Sequence, residues 1–238
     1  MAQSESYKYH NGNERAYIRD IILGVNDGLI STFLLTIGVY ASGLSLRSII
    51  LTIISCALSG MISMGLGEFL ATKSQIEVTK AELDTERKHI DDHIDIELEQ
   101  IKYFIEKDML IENEILIQQF LNEMKEKKEG IFNFMKKVEF GVSEDDTRYP
   151  FIAMLVSGGL FFIGSIPTLI AFCSTSNIHY AFYISIIINS IALFTVGAVK
   201  TLMTKTSIIF SGGENLLYGI IGGGISFSIG YLFSEFVV

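Results

Sequence analysis

Five apolar stretches, each of roughly twenty residues or more, constrain this chain most. They are Ile21–Gly43, Ser48–Ala71, Phe151–Cys173, Ile178–Met203 and Leu216–Val238. About 20 helical residues cross the ~30 Å hydrocarbon core of a bilayer. Because lipid offers the backbone no hydrogen-bond partners, segments that cross it singly must be helices. The sequence therefore predicts an all-α membrane protein with five transmembrane helices.

Charged residues concentrate in one internal segment between the second and third apolar stretches. From Ser74 to Pro150 there are 20 acidic and 11 basic residues, which accounts for the whole net charge of −9. Such an acidic segment attracts metal cations and repels nucleic acid. We predict four parts: an N-terminal segment (1–20), spans one and two (21–73), a three-helix insert (74–149), and spans three to five (150–238).

The positions of the basic residues predict the orientation in the membrane. Seventeen of the eighteen Lys and Arg lie on the side of the N-terminal segment, the insert and the connection between spans four and five. The opposite side carries only Arg47. By the positive-inside rule, the N-terminus and the insert are predicted to be cytosolic and the C-terminus lumenal or external.

Motifs for several other chemistries are absent from the sequence. Its two cysteines, Cys56 and Cys173, lie far apart in apolar stretches, which excludes a disulfide scaffold and a CxxC metal site. There is no HExxH, no P-loop, no GxSxG, and no glycine-rich dinucleotide motif after a strand. We therefore expect no enzymatic activity, no prosthetic group and no nucleic-acid partner.

The insert is predicted to form three helices. The first runs from Gln75 to Lys107, where neither Gly nor Pro interrupts a run of helix-forming residues. The second runs from about Ile111 to Lys128 and ends at Gly130, and the third from about Phe132 to Phe140 and ends at Gly141.

Two aspartates of the first span are candidate ion ligands. Asp20 and Asp27 are seven residues apart, close to two helical turns, so both carboxylates are predicted on one helix face. An ionised Asp at membrane depth costs at least ~2.5 kcal/mol, and such a group usually marks an ion path. Alternatively, Asp20 lies harmlessly at the interface and Asp27 is a protonated structural hydrogen-bonding group.

Sulfur and carboxylate ligands share one face of the second span. Met61, Met64 and Glu68 lie at i, i+3 and i+7. A thioether beside a carboxylate favours softer divalent metals such as Fe²⁺ over Mg²⁺ or Ca²⁺. Core packing is the alternative explanation of the methionines.

A third candidate set lies in the insert. On its predicted first helix the candidates share an arc of about 80° at 100° per residue. They are Glu86, His89, His93, Glu97 and Gln100. Met135 and Glu139, four residues apart on the third helix, could complete a metal site with them. A solvated charged face is the alternative.

Several motifs together resemble the vacuolar iron transporter family, and the resemblance covers nearly the whole chain. The first span contains RDIILGVNDGLIS, similar to the family pattern RD…GxSDGL with Asn26 where Ser is common. The second contains SGMISMGLGEFLATKSQ, similar to SMGxGE[FY]. The third contains FFIGSIPTLIAF, and the last two contain SIALFTVGAVKTLMT and SGGENLLYGIIGGGISFSIGYLF.

The resemblance implies a homodimer of five-span subunits with a cytosolic helical metal-binding domain between spans two and three. The family exchanges Fe²⁺ for protons and moves iron from the cytosol into an acidic store. By position, the translocation path corresponds to Asp20, Asp27 and Met64. The ligands of the cytosolic domain correspond to Glu86, Glu97, Met135 and Glu139.

This sequence departs from the family pattern at several ligand positions. His89 and Gln100 replace residues that are more often Glu, Lys136 replaces a common second Met, and Cys56 replaces a residue that is acidic in some members. Imidazole remains a competent Fe²⁺ ligand. The departures bear on the number and the affinity of the cytosolic sites.

From the residues and the resemblance together, we predict a proton-coupled Fe²⁺ antiporter in the membrane of a vacuole or another endomembrane compartment. The transported ion would pass from the insert toward Glu68, Met64 and Asp27. Mn²⁺ or Zn²⁺ could bind the same sites, so a Mn²⁺ carrier or a broader divalent-metal carrier is an alternative. A membrane scaffold that does not transport, with the insert as a helical docking surface, is a third.

Overall fold

The computed structural model describes residues 12–141, 148–204 and 206–237, which form eight helices and no strand. The helices are α1 (Gly12–Ala41), α2 (Leu46–Asp92), α3 (Ile94–Lys107), α4 (Glu114–Lys125), α5 (Lys128–Val138), α6 (Pro150–Cys173), α7 (Ile178–Thr204) and α8 (Ile208–Val237). Of these, α1, α2, α6, α7 and α8 are long and apolar enough to cross a bilayer. The predicted all-α membrane class is thus confirmed. Most of the predicted N-terminal segment, and Val238, lie outside the described residues.

The last span is longer than the sequence predicts. Helix α8 begins at Ile208 rather than at Leu216, and it therefore contains Glu214. Glu214 interrupts the apolar stretch just before Leu216. In the structure Glu214 has a cationic neighbour, because its carboxylate lies 3.9 Å from the Lys200 ammonium on α7. Helical backbone bonding continues across the charged residue.

The chain divides into two compact units. The membrane unit comprises Glu14–Thr72 and Arg148–Val238, and the insert unit consists mainly of Lys73–Thr147. Within the membrane unit, α6 approaches α1 and α2 closely through glycines. A Cβ atom at Gly158 would lie 2.6 Å from the backbone oxygen of Met61, and one at Gly28 would overlap the backbone of Phe161. Small residues at these positions allow the helix backbones to approach each other.

A hydrophobic core holds the insert unit together. Its fully buried members come from three different helices: Ile101 on α3, Ile117 on α4, and Ile131 with Met135 on α5. Asn113 caps α4, since its side-chain oxygen accepts a hydrogen bond from the Leu116 amide at 3.2 Å. The core thereby fixes the helices that carry the candidate ligands of the insert.

The prediction of one unbroken helix from Gln75 to Lys107 is wrong. Helix α2 ends at Asp92, His93 adopts φ −139° and ψ 45°, and α3 begins at Ile94. Acidic residues are unfavourable at the C-terminus of a helix and favourable at its N-terminus. The break places Asp95 and Glu97 in the first turn of α3, where acidic residues are favourable. It also leaves Asp91 and Asp92 in the last turn of α2, where the ammonium of Lys128 compensates Asp91 at 2.8 Å. The insert unit consequently contains four helical segments rather than three.

The other boundaries in the insert also differ. Helix α4 covers Glu114–Lys125, within the predicted range, whereas α5 starts at Lys128 and includes Gly130. Gly130 was expected to end the preceding helix. Gly141 does adopt a left-handed conformation, with φ +61°, just beyond the end of α5. That conformation suits glycine, although α5 itself already ends at Val138 rather than at Phe140.

Candidate metal centre

Three potential ligands converge in the insert unit across the break between α2 and α3. Glu86 and His89 belong to α2 and Glu97 to α3, and one ligand atom from each lies within 4.8 Å of the others. The predicted arc on a single helix is wrong, yet these three side chains still meet. His93 and Gln100, the other predicted members, are exposed.

The two carboxylates of this cluster are buried and incompletely satisfied. Glu86 is 6% exposed and Glu97 3% exposed. Among the described residues, Glu86 Oε1 and Glu97 Oε2 have no hydrogen-bond partner. Burying an ionised carboxylate without a partner is strongly unfavourable, so this pair requires a proton or a cation.

Electrostatics show the same requirement. Burial, together with the negative charges of Glu97 and Glu139, raises the pKa of Glu86 from 4.5 to about 7, and burial is the largest of these causes. Two adjacent carboxylates resist simultaneous ionisation unless a positive charge lies between them. Near neutral pH the cluster can therefore take up either a proton or a divalent metal.

The remaining insert candidates have different environments. Glu139 is exposed and lies directly after α5, where its amide donates a hydrogen bond to the Met135 carbonyl at 2.8 Å. Its charge acts on Glu86, which places it near the cluster. Met135 is fully buried in the hydrophobic core. Carboxylate oxygen and imidazole nitrogen ligands suit Fe²⁺, Mn²⁺ and Zn²⁺.

A second carboxylate pair lies in the membrane unit. Asp20 of α1 and Glu68 of α2 both accept hydrogen bonds from the Arg148 guanidinium, with 3.2 Å between Arg148 Nη2 and Glu68 Oε1. The Asp20 side chain is fully buried, and that of Glu68 is 14% exposed. The Thr72 hydroxyl also donates to Glu68 Oε1, at 3.4 Å. In this pair an arginine of the chain supplies the positive charge.

Sequence reasoning missed Arg148. A detectable signal existed, because Arg148 stands two residues before Pro150, the first residue of α6. The start of α1, the end of the apolar part of α2 and the start of α6 must lie on one side of the membrane when successive spans alternate in direction. A lone arginine at that point is a natural partner for Asp20 and Glu68.

Asp27 and Met64 lie deeper along their spans. Asp27 is exposed on the surface of the single chain and accepts a hydrogen bond from the Ser31 hydroxyl at 2.6 Å. Asp20 and Asp27 were predicted on one helix face, but only Asp20 is buried. Met64 is half-buried, one turn before Glu68. Cys56 is half-buried with its sulfur 3.9 Å from the Thr32 hydroxyl.

Comparison with known proteins supports the resemblance. A family model described as the VIT family matches residues 18–231. A vacuolar iron transporter of Centaurea cyanus is 27% identical, over 96% of this chain and 95% of its own length. Vacuolar iron transporter 1 of Eucalyptus grandis is 28% identical over 89% of this chain and 84% of its own length.

The protein CCC1 of Saccharomyces cerevisiae is 29% identical over 80% of this chain and 59% of its own length. The match to the family model covers the first four candidate spans, most of the fifth, and both carboxylate pairs. The expectation that the protein is not an enzyme agrees with the family, which consists of transporters. This chain belongs to the VIT family.

Proposed function

We propose that the protein moves Fe²⁺ from the cytosol into an acidic, vacuole-like compartment in exchange for protons. The proposal rests chiefly on the buried Glu86–Glu97 pair beside His89, whose unsatisfied oxygens suit a divalent cation. Membership of a transporter family supports it, as do relatives that are named vacuolar iron transporters. Iron here is the transported substrate, and no prosthetic group is proposed.

Exchange follows from competition for the same oxygen atoms. A carboxylate must lose its proton to bind metal, so metal binding and protonation exclude each other. Because the pKa of Glu86 is raised to about 7, its proton and a metal ion compete in the pH range of the cytosol. Carboxylates that face an acidic lumen would be protonated there and release the metal. The proton gradient then supplies the work without a nucleotide.

The proposed path continues through Glu68, Met64 and Asp27 in the membrane unit. Asp27 is exposed on the surface of one chain, and an ionised Asp facing lipid at membrane depth costs at least ~2.5 kcal/mol. A second copy of the chain that covers this surface would shield the carboxylate and enclose the path. We therefore propose a homodimer, with the N-terminus and the insert in the cytosol and the C-terminus in the lumen.

Uptake of Fe²⁺ into proteoliposomes with an acidic interior tests this function. The parent protein should accumulate Fe²⁺ only while the pH gradient persists, and Asp27→Asn should reduce the initial rate by at least about tenfold. Glu235→Gln, which removes an exposed carboxylate near the end of α8, is the matched control and should transport as the parent does. Equal rates for Asp27→Asn and the parent would remove Asp27 from the path.

One observation favours a second candidate substrate. The cluster offers two carboxylates and one imidazole, and oxygen-rich sets also suit Mn²⁺. A broader divalent-metal carrier would transport Mn²⁺ at a comparable rate. Uptake of Fe²⁺ measured against increasing Mn²⁺ separates the two, since an Fe²⁺ carrier retains its rate when Mn²⁺ is in moderate excess.

A further inference from the structure

Arg148 joins carboxylates from two different spans. Its guanidinium bonds to Asp20 of α1 and Glu68 of α2, while the residue itself stands just before α6. Only 15% of its side chain is exposed, so the group is largely withdrawn from water. The arrangement therefore places a positive charge between two carboxylates, one of them at a position that the family resemblance assigns to the metal path.

The positive charge of Arg148 does not depend on pH. Arginine stays protonated in proteins, so its guanidinium is a permanent monovalent cation. Two carboxylates and one guanidinium leave a net charge of −1 when the carboxylates are ionised. A divalent ion that reached Asp20 and Glu68 would meet a site that already contains a competing cation.

Arg148 lies in the short non-helical segment before α6. Neither Arg148 nor Tyr149 is helical, and Tyr149 has an extended backbone with φ −96° and ψ 118°. Displacement of the guanidinium would therefore require rotation of the Arg148 side chain but no unwinding of α6. Thr72, whose hydroxyl bonds to Glu68, would hold that carboxylate during the exchange.

We infer that Arg148 is a tethered counter-cation that occupies the Asp20–Glu68 pair between transport events and that the transported cation displaces it. This inference rests on the proposed function for the identity of the cation. By competing with the metal, the guanidinium keeps the pair from retaining a divalent ion too tightly. Arg148 is thus a positioning residue that sets metal affinity at the membrane pair, beyond its contribution to stability.

Mn²⁺ binding to the full-length protein in detergent tests the inference. The comparison uses a Glu86→Gln/Glu97→Gln background, which removes the buried carboxylates of the insert. In that background, Arg148→Gln should bind Mn²⁺ at least about tenfold more tightly by calorimetry, because a competing positive charge has been removed. Arg87→Gln is the control, since Arg87 forms an exposed ion pair with Glu129 at 3.0 Å. Its Mn²⁺ affinity should equal that of the background.

A purely structural arginine would give a different result. Arg148→Gln would then lower the thermal unfolding temperature while leaving the Kd for Mn²⁺ unchanged, and this result would overturn the inference. If Arg148→Gln does not fold, Glu68→Gln is compared with Glu68→Gln/Arg148→Gln. Both retain Asp20 and differ only in the guanidinium, and the double variant keeps the parent's net charge at this cluster.

The double variant should bind Mn²⁺ at least about tenfold more tightly than Glu68→Gln, and equal affinities would refute the displacement. The outcome is separable from that of the proposed function. If the proposed function is wrong, the parent protein will transport no Fe²⁺. Failure of the inference would appear as Mn²⁺ affinities that do not depend on Arg148, whatever the flux.

Discussion

The raised pKa of Glu86 predicts a steep pH dependence of metal binding by the insert unit. The carboxylate is 6% exposed and lies beside Glu97, and its pKa is raised to about 7. Since only the ionised form binds metal, affinity should fall as pH decreases through that value. An ordinary glutamate, with a pKa near 4.5, stays ionised near pH 7 and would therefore contribute almost nothing to a change in metal affinity around that pH.

The expected size of this pH effect on metal affinity follows from the fraction of Glu86 that is ionised. With a pKa of about 7, this carboxylate is about three-quarters ionised at pH 7.5 and about 3% ionised at pH 5.5. Metal affinity scales with that fraction when one proton must leave, so Glu86 alone should weaken binding by about 25-fold across the interval. Such a change corresponds to release of metal on acidification.

Mn²⁺ titration of the full-length protein by calorimetry at about pH 7.5 and about pH 5.5 measures this change. Glu86→Gln removes the titrating group and should flatten the dependence by about the same 25-fold factor. The matched control is Glu82→Gln, an exposed carboxylate one turn earlier on α2, which should behave as the parent does. The reasoning is refuted if Glu86→Gln retains the parent's full pH dependence.

Three further predictions concern stability and packing. The pKa of Glu86 is higher in the folded protein than the ordinary 4.5. The metal-free insert should therefore lose up to about 3 kcal/mol of unfolding free energy as pH rises from about 4.5 through about 7. Chemical denaturation should show this loss in the parent and a smaller loss in Glu86→Gln. Ile101→Ala should lower the unfolding free energy of the insert unit by about 2–5 kcal/mol, and a change below about 1 kcal/mol would contradict its place in the core. Gly158→Leu should abolish Fe²⁺ uptake and lower the thermal unfolding temperature, whereas Gly159→Leu, with open space at its Cβ, should do neither.

The membrane part of the fold could be predicted because lipid imposes a strong constraint. A helix must be long and apolar to cross a bilayer, and both properties can be read directly from the residues. The boundary at Leu216 failed where that constraint weakens, because Glu214 has a cationic neighbour on another helix. The apolar pattern of a sequence does not show whether a distant residue compensates a charge within a span.

The break at His93 shows a second limit of sequence reasoning. Helix-forming residues continue on both sides of it, so local propensity predicts one helix. Contacts distant in sequence accompany the break, with Asp91 paired to Lys128 at 2.8 Å and Asp95 to Lys125 at 2.7 Å. Three of the predicted insert ligands, Glu86, His89 and Glu97, nevertheless lie together despite the break, and their binding of metal stays a prediction.

The two buried carboxylate pairs have similar composition but different sources of positive charge, and this difference bears on transport. Glu86 and Glu97 have no described cationic partner, so a proton or a metal must compensate them. Asp20 and Glu68 share the permanent charge of Arg148. Under the proposed function, a metal that arrived at the first pair would replace a proton, whereas one that arrived at the second would displace a guanidinium that stays attached to the chain. If the proposed proton exchange operates, Arg148 contributes no proton to it, and we expect the coupling at carboxylates without an arginine partner, such as Glu86 or Asp27.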